Sequence, residues 1–294
     1  MKYIVILITV ISLVFGNLSC ASTAASSGAA ASPVWKITKD GKTLFIGGSI
    51  HILRKKDLPL PKQFERAFKQ ADILVFEADT SLVESPEIME YLVTEMLLPN
   101  NQTLESILEP QTYKMLSNKC WEYGLPMAGV KRLKPAMVVT MLSVMQFKKL
   151  GFVEEGVDEI YLNKAKKAKK PVLFLESVQS QIDMIVTMGE GNENEFVQYS
   201  LQDFENTETQ VDALVANWRS GAAEDEMLQE MKEEWPGIYQ SLILNRHDAW
   251  LPQIVEFLAA DQVHFIIVGN AHLSGHDGLF QRLKNIGCIV EPFM

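Results

Sequence analysis

The 294-residue chain has only three cysteines, five histidines and no excess of positive charge. None of Cys20, Cys120 and Cys288 stands in a Cys-x-x-Cys spacing, which sets aside a thiolate zinc cluster or a dithiol redox motif. A net charge of -10 and an isoelectric point near 5.1 argue against a nucleic-acid backbone as partner. The one basic run, Lys166 to Lys170, falls where a helix should end and reads as a solvated last turn complementing the helix dipole. Long apolar runs are missing too, apart from "YIVILITVISLVFG" after Lys2. With 47% hydrophobic and 22% charged residues, the rest is the composition of a globular chain able to bury a large core.

That first run is short, sits at the chain end and is followed by small residues, so residues 1–19 read as a secretory signal. "NLSC", ending at Cys20, is similar to a bacterial lipoprotein box, although Leu18 stands one position nearer the cysteine than usual. Ordinary cleavage after Ala21 or Ala31 competes with it. The small-residue stretch 20–33 reads as a flexible tether, which tips the balance toward a lipid on Cys20. The expected location is then the cell envelope, with membrane contact only through that lipid, or plain secretion otherwise. Outside the cytoplasm Cys120 and Cys288 could pair; the alternative is two separate buried thiols.

Residues 34–294 read as one α/β domain. "VWKITKDGKTLFIGG" alternates about Asp40-Gly41, a hairpin signal. "LPKQFERAFKQA" places Phe64, Ala67, Phe68 and Ala71 on one helical face, and "DILVFEAD" is a buried strand ending in Glu77. Residues from about 81 to 151 read as a helical insertion, where Met137, Met141 and Met145 form a stripe expected to be core. "GVDEIYLNKAKKAKK" is a helix and "PVLFLES" a buried strand ending in Glu176. Helices return before "QVHFIIVGNAH", and the chain closes as helix then strand. The order suggests two pseudo-repeated halves around a mixed, mostly parallel central sheet.

Two of the five histidines close the same pattern, apolar run then glycine, two residues, histidine: Gly48-x-x-His51 and Gly269-x-x-His272. In open α/β sheets functional groups gather at the carboxyl ends of strands. His51, Glu77, Glu176 and His272 all fall at such ends. Two imidazoles with one or two carboxylates are a suitable inventory for a divalent metal with an open position, and the glycines let the backbone approach a ligand closely. The competing reading is a pair of hydrogen-bonded turn histidines.

"LFIGGSIHIL", "ADILVFEAD", "LKPAMVV", "GVDEIYLNKAKKAKKPVLFLESVQSQ", "NRHDAW" and "HFIIVGNAHLSGHDGLFQRLKNIGCIVEPF" resemble, in order, segments of the TraB/GumN family. That family includes the TIKI metalloproteases and is related to the erythromycin-esterase and ChaN-like folds. The resemblance implies that His51, Glu77 and His272 are catalytic or metal-binding and that Gly48 and Gly269 shape their turns. It also carries Arg246 as an anion or transition-state contact, against a surface salt bridge as the plain alternative, and Glu176 as a supporting group. The implied cofactor is manganese or cobalt rather than zinc, and the implied activity a metal-dependent hydrolase acting on a peptide or small molecule. A haem-, iron- or small-ligand-binding lipoprotein of the ChaN type and an erythromycin-esterase-like hydrolase are the alternatives. Two positions depart from the family pattern, Ala136 where tryptophan is common and His247 where asparagine is common. Both are read as bearing on substrate rather than on the metal set. His276 and Asp277 are weaker ligand candidates, and His264 reads as structural.

Overall fold

A computed structural model describes residues 32–221 and 225–294. The segment expected to be a signal, Cys20 and the expected tether up to residue 31 lie outside the described residues. Among the described residues no helix is long and apolar enough to cross a membrane.

The described residues form eight strands: β1 (Val34–Lys39), β2 (Lys42–Ser49), β3 (Ile52–Arg54), β4 (Ile73–Phe76), β5 (Phe152–Glu155), β6 (Val172–Phe174), β7 (His264–Gly269) and β8 (Ile289–Pro292). Six build the central sheet in the order β6-β4-β7-β2-β1-β8. Asp40 and Gly41 both take positive φ, 49° and 77°, the backbone a tight two-residue hairpin needs, and β1 lies antiparallel to β2. β2, β7, β4 and β6 run parallel, and β8 runs antiparallel to β1. The sheet is therefore mixed and mostly parallel, as the order of elements along the chain suggested. β7 is buried along its whole length.

Register sets what meets at the carboxyl edge. Ser49 is level with Gly269, and Phe76 pairs with both Ile267 and Phe174. The two GxxH strands are thus neighbours, as are the two strands that end in Glu77 and Glu176. Glu77 is further tied to β6 because its carbonyl accepts from the Leu175 and Glu176 amides at 3.1 and 2.9 Å.

One sheet face buries Ile46, Val75 and Ile266 against Trp250 and Ile254 of the helix Asn245–Ala259 and Leu283 of the helix Leu279–Asn285. The other face packs Phe265 among Phe64, Tyr161 and Trp218, with Phe64 6.3 Å from Phe265 and 6.2 Å from Trp218, centroid to centroid. Burying each such side chain contributes roughly 1.5–3 kcal/mol, so the sheet is a stiff platform for whatever its edge holds.

The described residues divide into two compact units, and this sheet belongs to the one that takes residues 32–78, 154–176 and the described part of 210–294. The other takes residues 79–153 together with 177–209 and is helical. Three of its helices, Pro86–Glu95, Pro110–Glu122 and Pro135–Lys149, begin with proline at a position whose amide has no helical partner. The last is apolar nearly all round, with Met137 buried and Met141 and Met145 half-buried, so the methionine stripe packs as core. Cys120 and Cys288 are both free and buried, and burial raises both thiols.

Candidate active site

The two GxxH turns interlock. A Cβ on Gly48 would run into the side chain of Asn270, the residue that follows Gly269, so the first turn leaves room for the second only because it has no side chain. The Gly48 carbonyl accepts from Trp218 Nε1 at 2.7 Å, which pins the turn from below.

His51 is seated from the opposite side. Gly156, at the start of the helix Val157–Ala168, lies against the His51 backbone, and the Val157 amide donates to the Ile50 carbonyl at 3.0 Å. Ser49 Oγ donates to Asp158 Oδ1 at 2.7 Å, and the same oxygen lies 3.2 Å from His51 Nδ1, out of line for a good hydrogen bond. Burial opposes a charge on His51, but Asp158 and then Glu77 outweigh it and raise the imidazole above its ordinary value. An alanine methyl at 156 would meet main-chain atoms that cannot step aside. Gly156→Ala is therefore expected to cost about 1–3 kcal/mol in urea unfolding. Gly129→Ala, whose methyl meets nothing within 4 Å, is the control and is expected to stay within about 0.5 kcal/mol.

His51, Glu77 and His272 converge on Gly269. A Cβ there would lie 3.3 Å from His51 Nε2, 3.4 Å from Glu77 Oε1 and 3.5 Å from His272 Cδ2. The Gly269 amide donates to Glu77 Oε1 at 2.6 Å. Arg246 closes the group. Its Nη2 donates to Glu77 Oε2 and, at 2.6 Å, to Glu176 Oε1, while its Nε donates to Glu176 Oε2 at 3.1 Å. Its Nη1 lies 2.8 Å from His272 Nε2. The guanidinium also lies over the Trp250 ring at 4.4 Å, and that indole donates to Glu176 Oε2 at 3.3 Å. A π-helical stretch, Gln240–Leu244, immediately precedes the helix that carries Arg246; such bulges are frequent at functional sites.

Arg246 is only 11% exposed, so it is no surface salt bridge. Burial would raise the Glu77 carboxyl, but Arg246, the two imidazoles and the Gly269 amide outweigh it and hold the group far below the usual carboxylate range. Burial and the guanidinium together keep His272 well below the ordinary histidine value, hence neutral. Two glutamates thus share one arginine beside a neutral imidazole.

The reading of His247 needs correction. Its Nε2 lies 3.1 Å from His272 Nδ1 and its Nδ1 2.9 Å from the Asp277 carbonyl, so it touches the group directly rather than a substrate region. Burial pushes it down to about 4. His276 is solvent-exposed and meets only Asp277 among the contacts described, while His264 stacks on Phe257 at 4.8 Å. Asp158 and Trp250 belong to the cluster and were not singled out from the sequence.

The donor types, two imidazoles and a carboxylate, suit a divalent cation. As the side chains stand, His272 Nε2 and Glu77 Oε1 are 4.0 Å apart, and among the described residues no group of three His, Cys, Asp or Glu is arranged as a cage. An imidazole nitrogen has one lone pair, and Arg246 holds that of His272 Nε2. A cation on that nitrogen and the arginine contact exclude one another.

The sequence profile of the TraB/PrgY/gumN family matches residues 33–292. Two relatives are the uncharacterized protein YbaP of Escherichia coli K12, 26% identical over 86% of this chain and 92% of its own length, and YbaP of Shigella flexneri, 26% identical over 81% and 86%. No solved structure matches the chain. The chain belongs to the TraB/PrgY/gumN family.

Proposed function

We propose that the protein is a metal-dependent hydrolase of the cell envelope, acting on peptide bonds and exported with a lipid on Cys20. The observation that carries the reading is the meeting of His51, Glu77 and His272 around the missing side chain of Gly269, at the carboxyl edge of a parallel sheet.

His272 Nε2, Glu77 and His51 would hold the ion, manganese or cobalt before zinc. Such an ion supplies a Lewis acid for the scissile carbonyl and acidifies a bound water. The chain's own groups do the rest. Glu77, kept ionised by its surroundings, offers fixed negative charge and does not take up a proton near neutral pH. Asp158 Oδ1 lies beside His51 Nδ1 and favours a proton there: neutral, His51 keeps the Nε2 lone pair a ligand needs, and charged, it could instead donate a proton to the leaving amine. Arg246, forked on Glu176 through Nε and Nη2, keeps that grip when Nη1 leaves His272, and its freed N–H can then meet a developing oxyanion. Two carboxylates to one guanidinium leave room for a further cation.

The purified chain is expected to cleave members of a peptide library with manganese or cobalt present, and to stop on chelation or in His272→Ala. No cleavage with manganese, cobalt or zinc would count against the reading. One observation favours a second reading, of the erythromycin-esterase type without metal: Arg246 already supplies a resident cation to Glu77 and His272. Hydrolysis that persists after exhaustive chelation would select it.

A further inference from the structure

The hydrogen-bond chain behind His272 has two ends whose chemistry is fixed. At one end the Arg246 guanidinium has only donors, so the nitrogen it meets, His272 Nε2, must present a lone pair. An imidazole without a proton on Nε2 carries it on Nδ1. That proton lies between His272 Nδ1 and His247 Nε2, so His247 Nε2 is the acceptor. At the other end the Asp277 carbonyl can only accept, so His247 carries its own proton on Nδ1. Every link then has one donor and one acceptor, with no tautomer left to choice.

We propose that His247 is a positioning residue: anchored on the Asp277 carbonyl, it locks His272 in the Nδ1–H tautomer and keeps the Nε2 lone pair turned into the Glu77–Arg246 cluster.

The anchor is itself immobilised. The Asp277 carboxylate accepts from Lys232 Nζ at 2.7 Å and from the Tyr239 hydroxyl at 3.0 Å, and its carbonyl also accepts from Arg282 Nε at 3.0 Å. A carbonyl has no proton to pass on, so the chain ends there: it orients His272 and does not conduct protons to the surface. Both rings are buried, and His272 stands edge-on to Trp250 with centroids 4.8 Å apart. A misplaced proton would leave a buried donor facing a guanidinium, with neither able to accept. Without an acceptor at 247, the buried His272 Nδ1–H loses its partner and the ring gains reason to turn over or change tautomer.

The inference rests on the hydrolase reading only for the use made of the lone pair; the tautomer itself is measured without any activity. Nitrogen-15 NMR of the histidine-labelled full chain at neutral pH distinguishes protonated from unprotonated ring nitrogens, and five histidines are few enough to assign by substitution. Wild type is expected to show His272 and His247 both protonated at Nδ1, with a slowly exchanging His272 Nδ1–H proton. His247→Phe should remove that protected proton and mix the His272 tautomers. His247→Gln, whose carbonyl oxygen can replace the Nε2 acceptor, should restore both signals. If the hydrolase reading also stands, kcat should fall about 10–100-fold in His247→Phe with KM little changed, and recover in His247→Gln. An Nε2–H tautomer for His272 in wild type, or His272 signals unchanged in His247→Phe, would overturn the proposal whatever the activity assay finds. If His247→Phe fails to fold, the wild-type and His247→Gln spectra decide it: His272 protonated at Nε2 in either would overturn it.

Discussion

Arg246→Met is expected to destabilise the protein by about 3–5 kcal/mol at pH 7, the usual cost of removing one partner from a buried ion pair. The same variant should bind manganese at least about tenfold more tightly, a gain of about 1.4 kcal/mol. The loss follows from geometry. One guanidinium satisfies Glu77, Glu176 and His272 together, and a methionine fills its volume while leaving two carboxylates buried side by side. The gain follows from the single lone pair of His272 Nε2, which the arginine no longer occupies. pH separates the two effects. Paired Glu77 has a folded value below its unfolded one, so its contribution is present above the unfolded carboxylate pKa of roughly 4.3 and is lost as pH falls through the lower folded value. In the variant Glu77 keeps the Gly269 amide but loses the guanidinium, so its folded value rises back toward the unfolded one and little of that contribution is left to lose. The stability gap should therefore narrow as pH drops below about 5. Chemical unfolding across pH and calorimetric titration with manganese check both halves. A variant as stable as wild type, or one that binds manganese less well, would contradict the argument.

What was legible in the sequence was local. An apolar run stopped by glycine fixes where the strands before His51 and His272 end, and a run stopped by an acid does the same for Glu77 and Glu176. The mixed, mostly parallel sheet could be read from the order in which strands and helices follow one another. The order of neighbours could not: that β7 lies between β2 and β4 depends on packing between segments far apart in the chain. His247 was misread because successive helical residues point about 100° apart, so a helix that gives Arg246 to a site seems to turn its next residue away. Here His272 reaches past the arginine to meet the neighbouring face of the helix. Asp158 was hidden by its position in a first helical turn, where an acid already has a reason to be. Trp250 was hidden in an apolar stripe, four residues after Arg246. Its indole N–H, rather than its burial, is what joins it to Glu176.

Removing either GxxH histidine should abolish most of the affinity for a divalent ion. The two motifs lie on adjacent parallel strands, level at Ser49 and Gly269, and both imidazoles come within 3.5 Å of one vacant Cβ position. Two remaining donors hold a divalent ion poorly, so the first substitution does nearly all the damage. Residues that act as one unit fail together, and their costs do not add. Calorimetric titration of manganese into wild type, His51→Ala, His272→Ala and the double variant tests the shared centre most directly. The expected result is a loss of about 100-fold or more in each single variant and no further loss in the double. Two small losses that sum in the double variant, or a wild-type protein that binds neither manganese nor cobalt, would contradict it.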